Sequence, residues 1–207
     1  MIKETKPIRF EGNNYSAEWV KEAKKRGLPN TASTCEALKA LEEKNNIALF
    51  EKYKVFSAEE IVARYHIWVH TYNTVLEIEA NTLNEMVNAS VVPAGMEYEE
   101  MLADNLSKII KLKRESGLKV EKAALTDQKN HLSEVVTKIY YVRRNAAEMT
   151  KLLEKARPMG HEKKAKIYFE KLKPLMEHIR KHVDDLERVV SDEHWDLPKY
   201  REMLFIK

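Results

Sequence analysis

The chain has 207 residues, of which 36 are lysine or arginine and 33 are aspartate or glutamate, giving a formal net charge of +3. The two signs are interleaved, which is typical of solvated helix surfaces and argues against a clustered nucleic-acid-binding face. The single cysteine cannot form an internal disulfide, which favours a reducing compartment. The first residues lack the apolar core of a signal peptide, and no run of about 18 apolar residues predicts a membrane span.

Residues 1–56 are predicted to form an attachment with two short helices, because they hold too few apolar residues for a core of their own. Ser16 is a typical N-cap for a helix over 17–26, which Gly27 would end in a left-handed conformation. A capping-box sequence at 33–36 predicts a second helix to about residue 44, and Asn45-Asn46 is predicted to interrupt it.

A long helix is predicted over 57–92. Ser57 and Glu60 have the spacing of a capping box, and neither proline nor glycine follows until Pro93. Apolar side chains recur at steps of three and four residues, which is the period of one helix face. The predicted stripe comprises Ile61, Tyr65, Trp68, Tyr72, Val75, Leu76, Leu83, Met86 and Val87. The segment 93–96 is predicted to turn the chain.

Three further helices are predicted over 97–116, 120–157 and 162–190, with Gly117, Pro158 and Gly160 at their ends. Pro174 falls inside the last of them, where it should kink the helix without ending it. No strand alternation occurs. The predicted fold is therefore all-α, an elongated antiparallel bundle of three to four long helices.

The last residues, 191–207, are rich in aromatic and apolar side chains but have no helical period. Since disordered termini are normally polar, this tail is predicted to be ordered and docked. It could dock on its own bundle, near the aromatic residues of 1–56, or on a partner. The predicted organisation is one structural domain with an attachment at 1–56, a bundle at 57–190 and a docking tail at 191–207.

Two histidine pairs have the i, i+4 spacing at which both rings of a pair can reach one metal ion: His66 with His70, and His178 with His182. Neither pair has the glutamate of a zinc-protease helix, so half-exposed flanks of an apolar stripe are the simpler interpretation. We predict no metal site.

Glu79 falls where the predicted stripe would place an apolar residue, and a carboxylate facing a core needs a partner. Arg143 or Arg144 could serve, either in a buried structural pair or in a ligand site. Cys35 lies near a helix N-terminus, where a thiol can be activated. No histidine is close to it in sequence, so a nucleophilic role is not predicted.

Three runs of sequence resemble one known family, and they occur in the same order as in that family. The first is Phe10-Glu11-Gly12-Asn13-Asn14-Tyr15-Ser16-Ala17-Glu18-Trp19-Val20, followed by Arg26-Gly27-Leu28-Pro29-Asn30. The second is Asn46-Ile47-Ala48-Leu49-Phe50-Glu51-Lys52, leading into Arg64-Tyr65. The third is Trp195-Asp196-Leu197-Pro198-Lys199-Tyr200-Arg201-Glu202-Met203-Leu204-Phe205. Together they resemble the C-terminal helical region of type III glutamine synthetases.

The resemblance implies a parent enzyme that makes glutamine from glutamate, ammonia and ATP with Mg²⁺ or Mn²⁺, as a double-ring oligomer in the cytoplasm. The family's catalytic domain lies upstream of the matched region, so no catalytic, cofactor-binding or metal-binding residue is carried over. The implied partners are that catalytic domain and neighbouring subunits of the ring, with neither nucleic acid nor membrane.

Without the resemblance, a free-standing helical module that presents a groove to a partner helix is the alternative function. A small metal-binding bundle is a more distant third hypothesis.

Overall fold

The computed structural model describes residues 3–6 and 9–204, and the backbone alone at Tyr200. Every long element in this part of the chain is a helix, which confirms the predicted all-α class. The chain divides into two compact units, Met1–Val69 and His70–Lys207. In the described ranges, no helix is both long and apolar enough to cross a membrane.

The first unit contains three short helices and the beginning of a long one. They are α1 (Ala17–Lys25), α2 (Thr34–Lys39), continued by a 3₁₀ turn at Ala40–Glu42, α3 (Lys44–Lys52) and the start of α4 (Ala58–Met86). The hydroxyls of Ser16 and Ser33 accept hydrogen bonds from the first turns of α1 and α2, as predicted. Gly27 ends the first helix with φ +69°, a conformation that glycine adopts at little cost.

The predicted interruption at Asn45-Asn46 is wrong, because both residues lie in the first turn of α3. The break occurs one residue before that helix, where Glu43 has extended backbone angles. The Asn46 side-chain amide donates a hydrogen bond to the carbonyl of Ala40, in the preceding 3₁₀ turn. Asn46 therefore stabilises the start of this helix by donating a hydrogen bond to a carbonyl earlier in the chain, as short polar side chains do at helix ends.

Four aromatic residues of the first unit form two ring pairs within it. Phe10 and Trp19 lie with ring centres 4.7 Å apart, and Phe50 and Phe56 with centres 5.8 Å apart. Trp19 and Phe50 therefore pack on aromatic residues of their own unit. Tyr15, by contrast, is 99% exposed.

The predicted chain reversal at 93–96 is also wrong. Helix α4 passes through a π-helical turn, Val87–Val91, directly into α5 (Val92–Ser116), so residues 58–116 form one continuous helix. Proline normally disrupts a helix because its ring clashes with the carbonyl four residues earlier. For Pro93 that residue is Ala89, the middle of the π turn, where the Val92 N–H reaches back five residues to Val87. The wider turn accommodates the proline.

The remaining long helices are α6 (Lys122–Ala156) and the run α7 (His161–Ile167), π turn Tyr168–Leu172, α8 (Lys173–Val189). Gly117 supplies the left-handed end of α5, with φ +68°. Pro174 repeats the arrangement at Pro93, because its residue i−4, Glu170, is again the middle of a π turn. The helix continues through Pro174, as predicted.

Contacts between the long helices define the topology of the second unit. Tyr98 reaches His131, and Gly95 lies beside Ile139, so α5 and α6 run antiparallel. Lys138 reaches Asp185 and the Tyr141 ring stacks on His182, so α6 and α8 also run antiparallel. The second unit is therefore an up-down-up arrangement of three long helices.

The stripe predicted for α4 is correct at Ile61, Tyr65, Leu76 and Val87, which are buried. Between them the buried positions are Val69, Asn73 and Ala80, whereas the predicted Trp68 is 44% exposed and Val75 is 46% exposed. In the second unit the stripe contributes to a core cluster with α6 and α8, whose largest fully buried members include Met149, Tyr168, Leu172, Ile179 and Leu186.

A half-buried carboxylate, Glu77, links the first and third long helices. One of its oxygens accepts hydrogen bonds from Lys164 (3.0 Å) and from the buried Tyr168 hydroxyl (2.7 Å). Burial alone would raise the pKa of the Glu77 carboxyl, but these two donors outweigh it and hold the pKa below its ordinary value. Burial and the neighbouring carboxylate raise the pKa of the Tyr168 hydroxyl, which stays protonated as a donor.

The tail is docked on the core of the second unit. Of the two predicted alternatives, docking on its own chain is therefore the correct one. Trp195 is only 6% exposed and belongs to the core cluster, and Leu197 packs against it. The buried Lys199 ammonium donates to the carbonyl of Val190, at 2.8 Å, and pairs with Asp192. Docking ends there, because the short helix α9 (Tyr200–Met203) leaves Met203 62% exposed.

Leu204, next along the tail, is 80% exposed. Phe205 and Ile206, predicted to be anchored, lie outside the described residues.

Replacing Glu77 with glutamine is expected to lower the free energy of unfolding by about 1–2 kcal/mol at neutral pH, since a neutral amide accepts weaker hydrogen bonds from Lys164 and Tyr168. Because the folded-state pKa lies below 4.5, the contribution is complete above that pH and is lost as pH falls through the folded pKa. Denaturant unfolding of both proteins at several pH values measures the difference. Glu79→Gln, at an exposed position two residues away, is the control and should change stability by less than about 0.5 kcal/mol. Equal losses for the two variants would contradict the assignment.

Replacing Trp195 with alanine should cost about 3 kcal/mol of stability, because it empties a packed site in the bundle core. Met203→Ala, in the exposed part of the tail, should cost almost nothing. Thermal unfolding monitored by circular dichroism compares the two. A Trp195→Ala protein as stable as the Met203→Ala protein would show that the tail is not docked on its own chain.

Candidate functional site

The histidines of the two predicted pairs have different surroundings. His66, His70 and His178 are exposed, and the His70 ring makes an edge contact with His161, with centres 4.9 Å apart. His182 is half-buried against Tyr141, with ring centres 5.2 Å apart, and burial followed by the nearby Lys138 charge lowers its pKa. In the described part of the chain, no three His, Cys, Asp or Glu side chains are grouped closely enough to hold a metal ion.

Glu79 was predicted to face the core, and this is wrong. Its side chain is exposed and borders an open groove whose apolar floor includes Leu83 and Met176 and whose rim includes Arg180 and Asp184. The half-buried carboxylate of this region is Glu77, whose partners are a lysine and a tyrosine of the third helix. Arg143 and Arg144 are both exposed and do not serve this role.

Sequence reasoning missed Glu77 because the stripe was drawn through Trp68 and Val75. The register set by Val69, Asn73 and Leu76 places residue 77 at the margin of the buried face. Asn73 was missed for the same reason: it is 2% exposed, and its amide donates to the His161 carbonyl at 2.9 Å. Cys35 is buried in the first unit, within the first turn of α2.

The described residues do not fit a nucleotide–metal site. Magnesium sites in phosphoryl-transfer enzymes need grouped carboxylates, and phosphate cradles need glycine-rich loops at helix N-termini. Gly27 and Gly117 end helices, and Gly95 lies inside α5. Gly160 is the N-cap of α7, but no second glycine lies near it in sequence to form a glycine-rich loop. A Cβ at Gly95 would come within 3.0–3.1 Å of Ile139, so the glycine serves close helix packing.

A second groove lies beside this close approach of α5 and α6. It has a volume of about 460 Å³, with Ile139 at its floor and Met96, Val136 and Tyr140 along it. These three side chains are 49%, 40% and 57% exposed. Glu99 and the arginines Arg143 and Arg144 complete the lining. The groove thus combines an apolar centre with charges of both signs, which suits binding of another protein surface better than chemical catalysis.

Comparisons with known proteins agree with the sequence resemblance. The family model described as the glutamine synthetase C-terminal domain matches residues 1–110. A glutamine synthetase of Bacteroides fragilis is 33% identical over 204 residues, or 98% of this chain. A type-3 glutamine synthetase of Dictyostelium discoideum is 31% identical over 97% of the chain, and a glutamine synthetase of Butyrivibrio fibrisolvens is 29% identical over 99%.

Each match covers almost all of this chain but only a small part of the relative. The chain spans only 28%, 27% and 29% of the length of these three relatives. The family model covers more than half of the chain, and the relatives extend the similarity to nearly all of it. The chain therefore belongs to the glutamine synthetase C-terminal domain family, as its resemblance to the type III enzymes predicted.

Proposed function

We propose that this chain is the non-catalytic structural and assembly domain of a type III glutamine synthetase. One observation carries the proposal: relatives that are glutamine synthetases match almost the whole chain, which nevertheless spans less than a third of their length. The parent enzyme would condense glutamate and ammonia with ATP, using Mg²⁺ or Mn²⁺, in the cytoplasm. In this proposal residues 1–56 attach to the bundle at 57–190, and 191–207 form the docking tail.

The partners in this proposal are the catalytic domain of the parent synthetase and neighbouring subunits of its ring. The surface of the second unit supports a role in assembly. Val75, Ile78 and Met86 are 46%, 60% and 42% exposed. They share one face of α4 and lie away from the buried stripe of Leu76 and Ala80. Exposed apolar side chains on one helix face support the proposal that another protein segment covers this surface.

The alternative is a free-standing helical interaction module, for which the same exposed stripe would receive a partner helix. The complete reading frame that encodes this chain separates the two. A synthetase domain encoded upstream in the same frame supports the assembly domain. An in-frame stop codon immediately upstream of the first codon would overturn that proposal and leave the free-standing module.

The 207-residue polypeptide alone is expected to make no glutamine, because its described residues provide neither grouped carboxylates for metal ions nor a phosphate-binding loop. The assay follows phosphate release in the presence of glutamate, ammonia, ATP and Mg²⁺, with heat-denatured chain as the blank. A relative of full length, such as the Bacteroides enzyme, is the positive control. Release above the blank that depends on all three substrates would contradict a non-catalytic role.

In the protein that the complete reading frame encodes, Ile78→Glu is expected to disrupt the assembly, since it places a charge in an apolar contact. Sedimentation velocity should show smaller species than for the unsubstituted protein. Asn81→Glu adds the same charge at an exposed polar position of the same helix and should leave the assembly intact. Identical sedimentation of both variants would show that Val75, Ile78 and Met86 are not part of the assembly interface.

A further inference from the structure

We infer that the groove between α5 and α6 is a docking surface for a second copy of this chain, related to the first by a two-fold axis. The inference goes beyond the proposed function and does not depend on it, because it concerns the association of the 207-residue chain itself. Three features carry it: the exposed apolar centre, the positions of the charges along the groove, and the availability of those charges.

The centre of the groove has the composition of a protein interface. Tyr140 is 57% exposed and Met96 49% exposed, and both stand beside a floor formed by the buried Ile139. Tyrosine and methionine are enriched in interfaces, where a large side chain fills a facing cavity. Next to Met96, the missing Cβ of Gly95 lets α5 and α6 approach closely at Ile139.

The charges lie at opposite ends of this apolar centre. Because α5 and α6 are antiparallel, with Gly95 beside Ile139, the level of Arg143 on α6 corresponds to about residue 91 on α5. Glu99 is about eight residues from that level, or roughly 12 Å along the helix axis. One end of the groove is therefore acidic and the other basic.

A two-fold axis through the apolar centre would place the Glu99 end of each copy on the Arg143 end of the other. In such an interface every contact occurs twice, so a patch must be complementary to itself. This groove meets that condition, with tyrosine and methionine at the middle and opposite charges at the two ends.

The charged groups are available for a partner. In the described ranges, neither Glu99 nor the two arginines form an ion pair within the chain, and the Arg144 guanidinium rests 5.3 Å from the centre of the Tyr141 ring. By contrast, both arginines on the rim of the Glu79 groove already have acidic partners: Arg180 pairs with Asp184 and Arg188 with Asp185. We therefore place the second copy on the α5–α6 groove and not on the other.

The experiment reverses the charges at each end separately and then mixes the products. The variants are Glu99→Arg and the double variant Arg143→Glu, Arg144→Glu, all at exposed or partly exposed helix positions. Circular dichroism checks that each variant is folded. Sedimentation equilibrium over a wide concentration range should show a monomer–dimer equilibrium for the unsubstituted chain, weakened by salt. Each variant alone should dimerise at least tenfold more weakly, since like charges then face each other at both ends.

Mixing the two variants should restore dimerisation, because the reversed charges are complementary at both ends of a mixed pair. Lys111→Glu, an exposed charge reversal further along α5, should behave as the unsubstituted chain does. A chain that remains monomeric at every concentration would overturn the inference and leave the groove to a segment of a larger synthetase. Dimerisation that the variants do not weaken, or that mixing does not restore, would overturn it as well.

Discussion

The architecture depends on the first long helix continuing without a break through Pro93. A proline inside a helix removes one backbone hydrogen bond and clashes with the carbonyl four residues earlier. Here a five-residue π turn is centred on that carbonyl, and the helix continues from residue 58 to residue 116. Pro174 is accommodated in the same way by the turn Tyr168–Leu172. If either proline ended its helix, the chain would reverse, and the three-helix packing of the second unit would not form.

The continuity also determines which side chains can meet. Because the first helix does not reverse at Pro93, its segment around Glu77 faces the beginning of the third helix, where Lys164 and Tyr168 bond the carboxylate. Its segment around Gly95 faces α6, and Glu97 approaches His194 of the tail to within 3.6 Å. One helix thus carries the polar link at Glu77 and, further along, both the close approach to α6 at Gly95 and the contact with the tail at Glu97.

The sequence predicted the fold class, most helix ends and the docking of Trp195, because caps, glycines and apolar spacing are local signals. It did not predict the passage through Pro93, because a π turn has no local signature: Val87–Val91 reads as ordinary helix until the proline follows. The predicted stripe ran through Trp68, whereas the buried residue at this level of the helix is Val69, its neighbour in sequence and about 100° away around the helix. Because of that error, the carboxylate facing the core was predicted to be Glu79 when it is Glu77, and the buried Asn73 was not predicted at all.

The candidate interfaces were beyond sequence reasoning for a different reason. Met96 and Tyr140 are far apart in the chain, and Met96 was predicted to lie in a turn, so their place in one groove emerges only once α5 and α6 are packed. In a three-helix unit each long helix buries one face, and any further apolar side chain must lie outside the core. Apolar surface in excess of what the core can hold, flanked by opposite charges, is stabilised when a complementary surface removes it from water. This physical argument supports the proposal that the second unit contacts other protein surfaces.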